Sequence, residues 1–449
     1  MGKFAENQHK GKLIAFHIGK VINAQFPTLY ERAESLLDPR KHCEYALAEL
    51  VFGGIAMFIF KFGSRNQFDN YRKEGVFKKN YHRTFKMRLP SSDAIEDLMR
   101  LLETSELETL KEVIVKELIR RKVFHKFRFM NKKFLIAVDG TGTSTYGINY
   151  CGQCTSKTSK NGNTTYFHHV LEAKLVTHND MGISVATEWI ENKADGDYEK
   201  QDCEQKAFQR LAAKLKKMFP RLPLVILADG LYPNKTIFEI CRDNGWDFIF
   251  TFKDGNLPTV HKELELLPPS PDNTGERTLA KKGILKKQVY SWTNGVDYHG
   301  FSLSVITCEE RKSHIRESEE KEPETRKFTH ITNLEISRNN CFAVSDSGRV
   351  RWAIENSFDY LKNHGYNLGH KFSRVSFNAY KNYYQCMMIA HAINQFVEKS
   401  TDFIELKDSV PKRSVQFLWQ RLISFFTDFD IEPLELEDCI KRRTQIRLA

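Results

Sequence analysis

The hydrophobic pattern changes period near residue 130. Before it, Tyr45 to Phe62 is apolar nearly all round. Asp93 to Arg121 sets Leu98, Leu101, Leu102, Leu107, Leu110 and Ile114 at helical spacing. Pro39 can open a helix, and Pro90-Ser91-Ser92-Asp93 supplies a start signal. This predicts a helical region over 1–130, without an assignable recognition-helix motif. From 134 the runs shorten to strand length: Phe134–Val138, Tyr166–Val176, Ile183–Ile190, Leu224–Ala228 and Phe248–Phe252. Amphipathic stretches, predicted helices over about 199–218 and 232–244, separate the last three, and Gly245 ends the second.

The predicted order over 131–256 is strand, strand, strand, helix, strand, helix, strand. It begins as an antiparallel meander and becomes βαβ-like. That is the order of a ribonuclease-H-like α/β fold, a mixed sheet with flanking helices, whose first and fourth strands lie parallel and adjacent. Residues 257–327 interrupt it. Pro258, Pro268, Pro269 and Pro271 mark an irregular linker. Asn294-Gly295, between Gln288–Trp292 and Tyr298–Cys308, predicts a two-residue hairpin turn. Glu309–Lys327 mixes both charges densely and reads as an exposed loop. The span is read as a β-rich insertion. Over 328–400 the core resumes, with a strand at Phe328–Ile331, a helix carrying Glu355 and a long helix over Ala379–Val397. A helical tail, 401–449, ends in basic Lys441-Arg442-Arg443.

Composition narrows the class. An apolar share of 41% over 449 residues is that of a globular chain. Sixty-eight Lys+Arg against 57 Asp+Glu, a net +11, suits a polyanionic partner such as nucleic acid, or a basic soluble protein without one. The longest apolar stretch, Leu50–Phe60, is shorter than the roughly 20 residues a membrane span needs, so no membrane role is expected. The N-terminus is polar with no cleavable apolar core, and the nine cysteines are scattered. Both point to a reduced, cytoplasmic location, which a DNA partner would make nucleoid-associated.

Two aspartates end predicted strands: Asp139 after Phe134–Val138, and Asp229 after Leu224–Ala228. Either alone is ordinary strand-to-turn chemistry. On the Glu355 helix, Arg351, Glu355 and Lys362 fall within roughly 40° of one another at about 100° per residue. Ile354, Phe358 and Leu361 form the adjacent apolar stripe. One ridge thus carries an acid flanked by cations, suited to metal and phosphate, or simply an i,i+4 ion pair on a solvated face. Together the three acids are what a pair of hard divalent cations requires.

The Arg-x3-Glu-x6-Lys spacing of Arg351, Glu355 and Lys362 resembles the signature of DDE transposases of bacterial insertion sequences. The similarity is to the group with a Tyr-x2-Arg-x3-Glu-x6-Lys motif and a β insertion before the glutamate. Ala137-Val138-Asp139-Gly140-Thr141 and Leu227-Ala228-Asp229-Gly230-Leu231-Tyr232 resemble the surroundings of that family's first two acids. Lys200-Gln201-Asp202-Cys203-Glu204 is similar to a stretch of the same group. The chain departs at the Tyr position, which is Gly348 here. The resemblance implies a catalytic triad of Asp139, Asp229 and Glu355 that ligates two Mg²⁺ ions, with Mn²⁺ able to substitute. It also implies strand cleavage at element ends, strand transfer into target DNA and a homodimer synapsing two ends. The alternatives are a nuclease of the same fold that cuts without joining, and a catalytically silent, transposase-derived DNA-binding protein.

Contacts to double-stranded DNA, both element ends and target, are expected from a basic, aromatic-rich stretch. It holds Lys61, Arg65, Arg72, Lys73, Lys78, Lys79, Arg83, Lys86 and Arg88 against Asp69 and Glu74 only. Phe68, Tyr71, Phe77, Tyr81 and Phe85 are interleaved; the competing reading makes them core. Arg120-Arg121-Lys122 through Lys133 form a second basic cluster. Trp292 is placed to stack on a base at a DNA end or to anchor the hairpin. Cys151-x2-Cys154 with His168-His169 does not match the usual zinc-finger histidine spacing, and Cys203 would be a distant fourth ligand. These cysteines are read as packed free thiols, and His391 as a core residue.

Overall fold

The computed structural model describes residues 3–193, 200–267, 270–281, 283–314, 324–409, 414–442 and 446–448, without the side chains of 3–8 and 314. Helices come first: α1 (Lys3–Gln25), α2 (Leu29–Glu34), α3 (Leu47–Ile59), α4 (Arg65–Lys73), α5 (Gly75–Phe85), α6 (Ser92–Leu101) and α7 (Thr104–Arg120). Every residue of α3 except Glu49 is buried, as expected of the apolar stretch there. No helix of the described residues is long and apolar enough to cross a membrane. Pro39 opens no helix. The Asp38 carboxylate accepts the Arg40 amide at 3.0 Å and its guanidinium at 2.7 Å, a local turn that competes with helix. The single helix expected over 93–121 is two, because Leu102 and Glu103 leave helical geometry between α6 and α7. Leu101 therefore faces solvent while Leu102 is buried.

The strands follow: β1 (Phe134–Tyr146), β2 (Thr155–Thr158), β3 (Thr164–Val176) and β4 (Gly182–Ile190), then α8 (Glu204–Met218), β5 (Leu224–Ala228), α9 (Lys235–Asn244) and β6 (Asp247–Thr251). Next come α10 (Pro258–Leu266), β7 (Thr274–Lys281), β8 (Ile284–Tyr298), β9 (Phe301–His314) and β10 (Glu324–Thr332). The chain closes with α11 (Cys341–Val350), α12 (Trp352–Asn363), α13 (Phe377–Glu398), α14 (Thr401–Asp408), α15 (Val415–Asp428) and α16 (Pro433–Lys441). The described strands form one mixed sheet in the order β2-β3-β1-β5-β6-β10-β9-β8-β7, with β4 also on β3. This is the expected ribonuclease-H-like α/β arrangement. β1 runs antiparallel to β3 and parallel to β5, and β5 runs parallel to β6. The inserted strands are no separate layer, since β10 pairs with β6 and extends the same sheet.

The insertion departs from expectation in detail. Pro258 starts α10 rather than continuing a linker. Asn294-Gly295 is not the hairpin turn: β8 runs through it with a register shift between Thr293 and Val296. Gly295, at φ 76°, serves a bulge. The turn lies at His299-Gly300, both at positive φ, between paired Tyr298 and Phe301. Much of the charged loop is strand, since β9 and β10 pair as far as Lys312 and Glu324. Residues 315–323 lie outside the described residues, as do Pro268, Pro269 and Arg443 of the sequence readings.

One helix organises the core. From Ala379 to Val397 almost every residue of α13 is buried. It packs against α3, α6 and α7 on one side and β4 on the other. His391 is buried in it with Nδ1 3.2 Å from the Gln395 amide nitrogen, a packed residue.

Candidate active site

β1 and β5 pair in register, Ala137 opposite Leu227. Continued two residues, that register sets Asp139 beside Asp229 on neighbouring parallel strands roughly 4.8 Å apart. Asp229 follows the last residue of β5, but Asp139 does not end its strand as expected, since β1 runs on to Tyr146 against β3. Apolar runs that bury both sheet faces hold the strands, and the chain turns polar where they leave the core. The Gly140 amide donates to Asp139 Oδ1 at 3.0 Å, and the Leu231 amide donates to Asp229 Oδ1 at 2.9 Å. Glu355 sits in the first turn of α12, where a helix dipole favours negative charge. The buried Lys174 of β3 reaches under this helix, donating to Ser357 Oγ at 2.6 Å and lying 4.6 Å from the Phe358 ring centroid.

These groups share one field. Burial pushes the Asp139 carboxyl up to about 7; Arg351 opposes the shift, while Glu355, Glu204 and Asp229 add to it. Glu355 is held by Arg351, Nη1 to Oε1 at 2.6 Å. Arg351 is itself buried, and its Nε finds no partner among the described residues. It therefore lies inside the site, not on a solvent ridge. Lys362 is exposed on the same helix, near enough to His169 to disfavour that imidazole's protonation, a shift for which burial is the larger cause. The three carboxylates have not closed to single-ion spacing. Among the described residues the only group with ligand atoms all within 4.8 Å is Cys151, Cys154 and His168. Such spacing is consistent with mutually repelling acids, one of them tied to an arginine. Paired ions also need only bridge neighbouring carboxylates. The donors are hard oxygens, the set that magnesium and manganese take.

A fourth acid joins them that the sequence reading did not single out. Glu204 is the first residue of α8, and a Cβ on Gly140 would lie 2.8 Å from its carboxyl carbon. A side chain at 140 would displace that carboxylate from its place beside Asp139. Burial first, then Asp229, raises the Glu204 carboxyl above its ordinary range. The buried phenol of Tyr232 faces the same acids, and its oxygen has no hydrogen-bond partner of good geometry among the described residues. The available signal was the Lys200–Glu204 stretch, which resembles the transposase group and ends in an acid that opens the helix after the meander.

Gly348 is explained by its neighbour. A Cβ there would meet the His330 ring at 2.4 Å, so the ring fills the space that a side chain at 348 would need. His330 is buried, and burial, then Arg349 and Arg351, lower its imidazole to about 4. Gly348→Ala is therefore expected to cost about 1–3 kcal/mol of stability through overpacking. Thermal unfolding checks it, and an unchanged midpoint would refute the steric account.

The basic stretch is mostly ion-paired within the chain, Lys61 in the interior and Lys79, Lys86 and Arg88 at the surface. Lys61 is buried against Glu398 at 2.8 Å. Arg65 pairs with Asp93 and Glu96, Arg72 with Asp69, Lys79 and Arg83 with Asp430, Lys86 with Glu437, and Arg88 with Glu49. Phe68, Phe77, Tyr81 and Phe85 are core and Tyr71 is half-buried, so the interleaved aromatics cannot present faces to bases. Only Lys73 and Lys78 are exposed without an ion pair among the described residues. The second cluster is engaged in part: Arg121 caps the Ala24 and Gln25 carbonyls, and Lys133 pairs with Asp247, while Arg120, Lys122 and Lys132 are exposed. Trp292 is 2% exposed and cannot stack on a base; it anchors the insertion. The sequence reading also missed a cleft of about 630 Å³ beside α12, lined by Lys253, Lys327, Arg349, Arg351 and Trp352 among others. Lys253, Lys327 and Trp352 are exposed there.

Residues 131–395 match the family model for the transposase DDE domain, and the chain belongs to that family. No curated protein matches it. Among solved structures it is similar to a piggyBac transposase synaptic complex with hairpin DNA, at 12% identity and a TM-score of 0.39, over 96% of this chain and 84% of that one.

Proposed function

We propose that this chain is a DNA transposase that cuts at the ends of its element and joins the freed ends to target DNA. What supports the reading is that Asp139 on β1, Asp229 just after β5 and Glu355 on α12 act on one another electrostatically, within a transposase DDE domain. These acids would hold two Mg²⁺ ions, replaceable by Mn²⁺, which supply an activated oxygen nucleophile and charge for the leaving oxygen. In cleavage, a water oxygen bonds to phosphorus, the bond to the 3′ oxygen breaks, and a 3′-hydroxyl is left. In joining, that hydroxyl oxygen bonds to a target phosphorus as one target phosphodiester breaks. Arg351 holds Glu355 and balances its charge, and Glu204 adds negative charge beside Asp139. Two copies would synapse two ends.

DNA would enter along the cleft beside α12, with Lys253 and Lys327 on phosphates and Trp352 against a sugar or base. The deciding experiment incubates the full chain with Mg²⁺, donor DNA bearing element ends, and a target plasmid. Joined products support the reading; cut ends alone favour the nuclease of the same fold, and neither product overturns it. In the same system Lys253→Ala/Lys327→Ala should weaken DNA binding and reduce the salt slope by about two. An unchanged slope would put the DNA elsewhere.

A further inference from the structure

Two thiols and an imidazole converge at the far end of the catalytic sheet, where no step of the proposed reaction uses them. Cys151 and Cys154 flank the turn between β1 and β2, and the Cys154 amide donates to the Cys151 carbonyl at 3.1 Å. Asn192 pins that turn to the end of β4, with Nδ2 donating to the Cys154 carbonyl at 2.9 Å and its amide to the Gln153 carbonyl at 3.1 Å. His168, 1% exposed, comes from β3. Its ring is stacked on Phe377 at 3.8 Å between centroids, which fixes its orientation. Sγ of Cys151 and Sγ of Cys154 are 3.4 Å apart, and each is 3.5 Å from His168 Nε2.

The thiols are not bonded, because a disulfide would bring the sulfurs to about 2.0 Å. The triangle matches another object. With zinc–sulfur bonds of about 2.3 Å and a zinc–nitrogen bond of about 2.0 Å, tetrahedral angles set sulfur–sulfur at ~3.8 Å and sulfur–nitrogen at ~3.5 Å. The three atoms stand within a few tenths of an ångström of that. The strand geometry also removes the spacing objection raised by adjacent histidines. Neighbours on a strand point to opposite faces, so His168 alone turns to the thiols while His169 lies against Gly142. Cys203 is not part of the cluster.

We propose that Cys151 Sγ, Cys154 Sγ and His168 Nε2 bind one zinc ion, with the fourth position left to water. Two thiolates and an imidazole select zinc over the hard cations that the carboxylates take. The ion clips the turn after β1 to β3 and, through Phe377, to the start of α13. His168 is opposite Ser144 in the same β1–β3 ladder that pairs Asp139 with Glu172. The clip therefore steadies the strand that presents Asp139.

The test uses the full chain purified under reducing conditions. Elemental analysis should find about one zinc per chain. After its removal, Co²⁺ should restore a thiolate-to-cobalt charge-transfer band that excess Mg²⁺ does not abolish. Cys151→Ser, Cys154→Ser and His168→Asn should lose the band, while Cys203→Ser and Asp139→Asn keep it. Absence of the band in the unaltered chain overturns the proposal without reference to any variant's folding. So does a Cys151–Cys154 disulfide in freshly isolated protein, or a band that persists in the serine variants.

Discussion

Asp139→Ala is expected to abolish strand cleavage and strand joining together, each by on the order of 10³-fold or more. Binding to element-end DNA should stay within about threefold, because the groups that would meet phosphate lie on other elements. The joint loss is the diagnostic part. A single pocket serving both steps loses both when a shared ligand goes; a site that only cuts has nothing to join. Preformed 3′-hydroxyl ends separate the steps, and a variant that still joins them would remove Asp139 from the reaction. The proton on this group gives a second handle. Its carboxyl is pushed up to about 7, by burial first. A divalent cation must therefore displace a proton below that pH, and metal affinity should weaken as pH falls through 7. The stability effect has the opposite sense. A carboxyl raised above its unfolded value of about 3.9 favours the folded, metal-free chain at low pH, and that advantage is lost as pH rises through 7. Asp139→Asn should remove this pH dependence, so its metal-free unfolding midpoint should exceed that of the unaltered chain at pH 8. A lower midpoint for Asp139→Asn would contradict the burial account.

What the sequence could reveal followed how far apart the deciding residues lie. Phe134–Val138 and Leu224–Ala228 are buried on both faces, so their own composition specifies a strand. Asp229 marks the end of β5, but β1 runs past Asp139 to Tyr146, because its pairing with β3 rather than its own apolar run sets its length. Asn294-Gly295 misled because a turn is chosen by strand register, and His299-Gly300 supplies two positive φ angles where the register closes. The basic stretch misled because its partners are remote: Glu398 for Lys61, and Asp430 for Lys79 and Arg83. Until the fold joins them, such residues look like a free cationic face. Glu204 was hidden for a related reason. Its stretch, Lys200–Glu204, resembles one in the transposase group, but the residues alone give Glu204 no role until the sheet brings Gly140 beneath it.

Lys61→Met carries the largest expected stability effect, and it separates wiring from DNA contact. Lys61 Nζ donates to Glu398 Oε1 and to Tyr360 Oη, each at 2.8 Å, and lies 3.9 Å from the Trp419 ring centroid. Its ammonium is held below its usual range by burial, with Glu398 opposing. Removing it leaves Glu398 and the Tyr360 phenol facing each other in the interior without a cation. Breaking a buried pair in this way costs about 3–5 kcal/mol. If Lys61 instead met DNA, the variant would keep its stability and lose about one unit of salt slope in DNA binding. The wiring account expects the reverse: a lowered denaturation midpoint and an unchanged slope. Lys61→Met/Glu398→Gln should recover much of the loss, since a neutral replacement leaves no uncompensated charge. Tyr360 belongs to α12, about one and a half turns beyond Glu355, so the single variant should also slow strand cleavage by loosening that helix. A stable Lys61→Met chain with a reduced salt slope would return this lysine to the DNA.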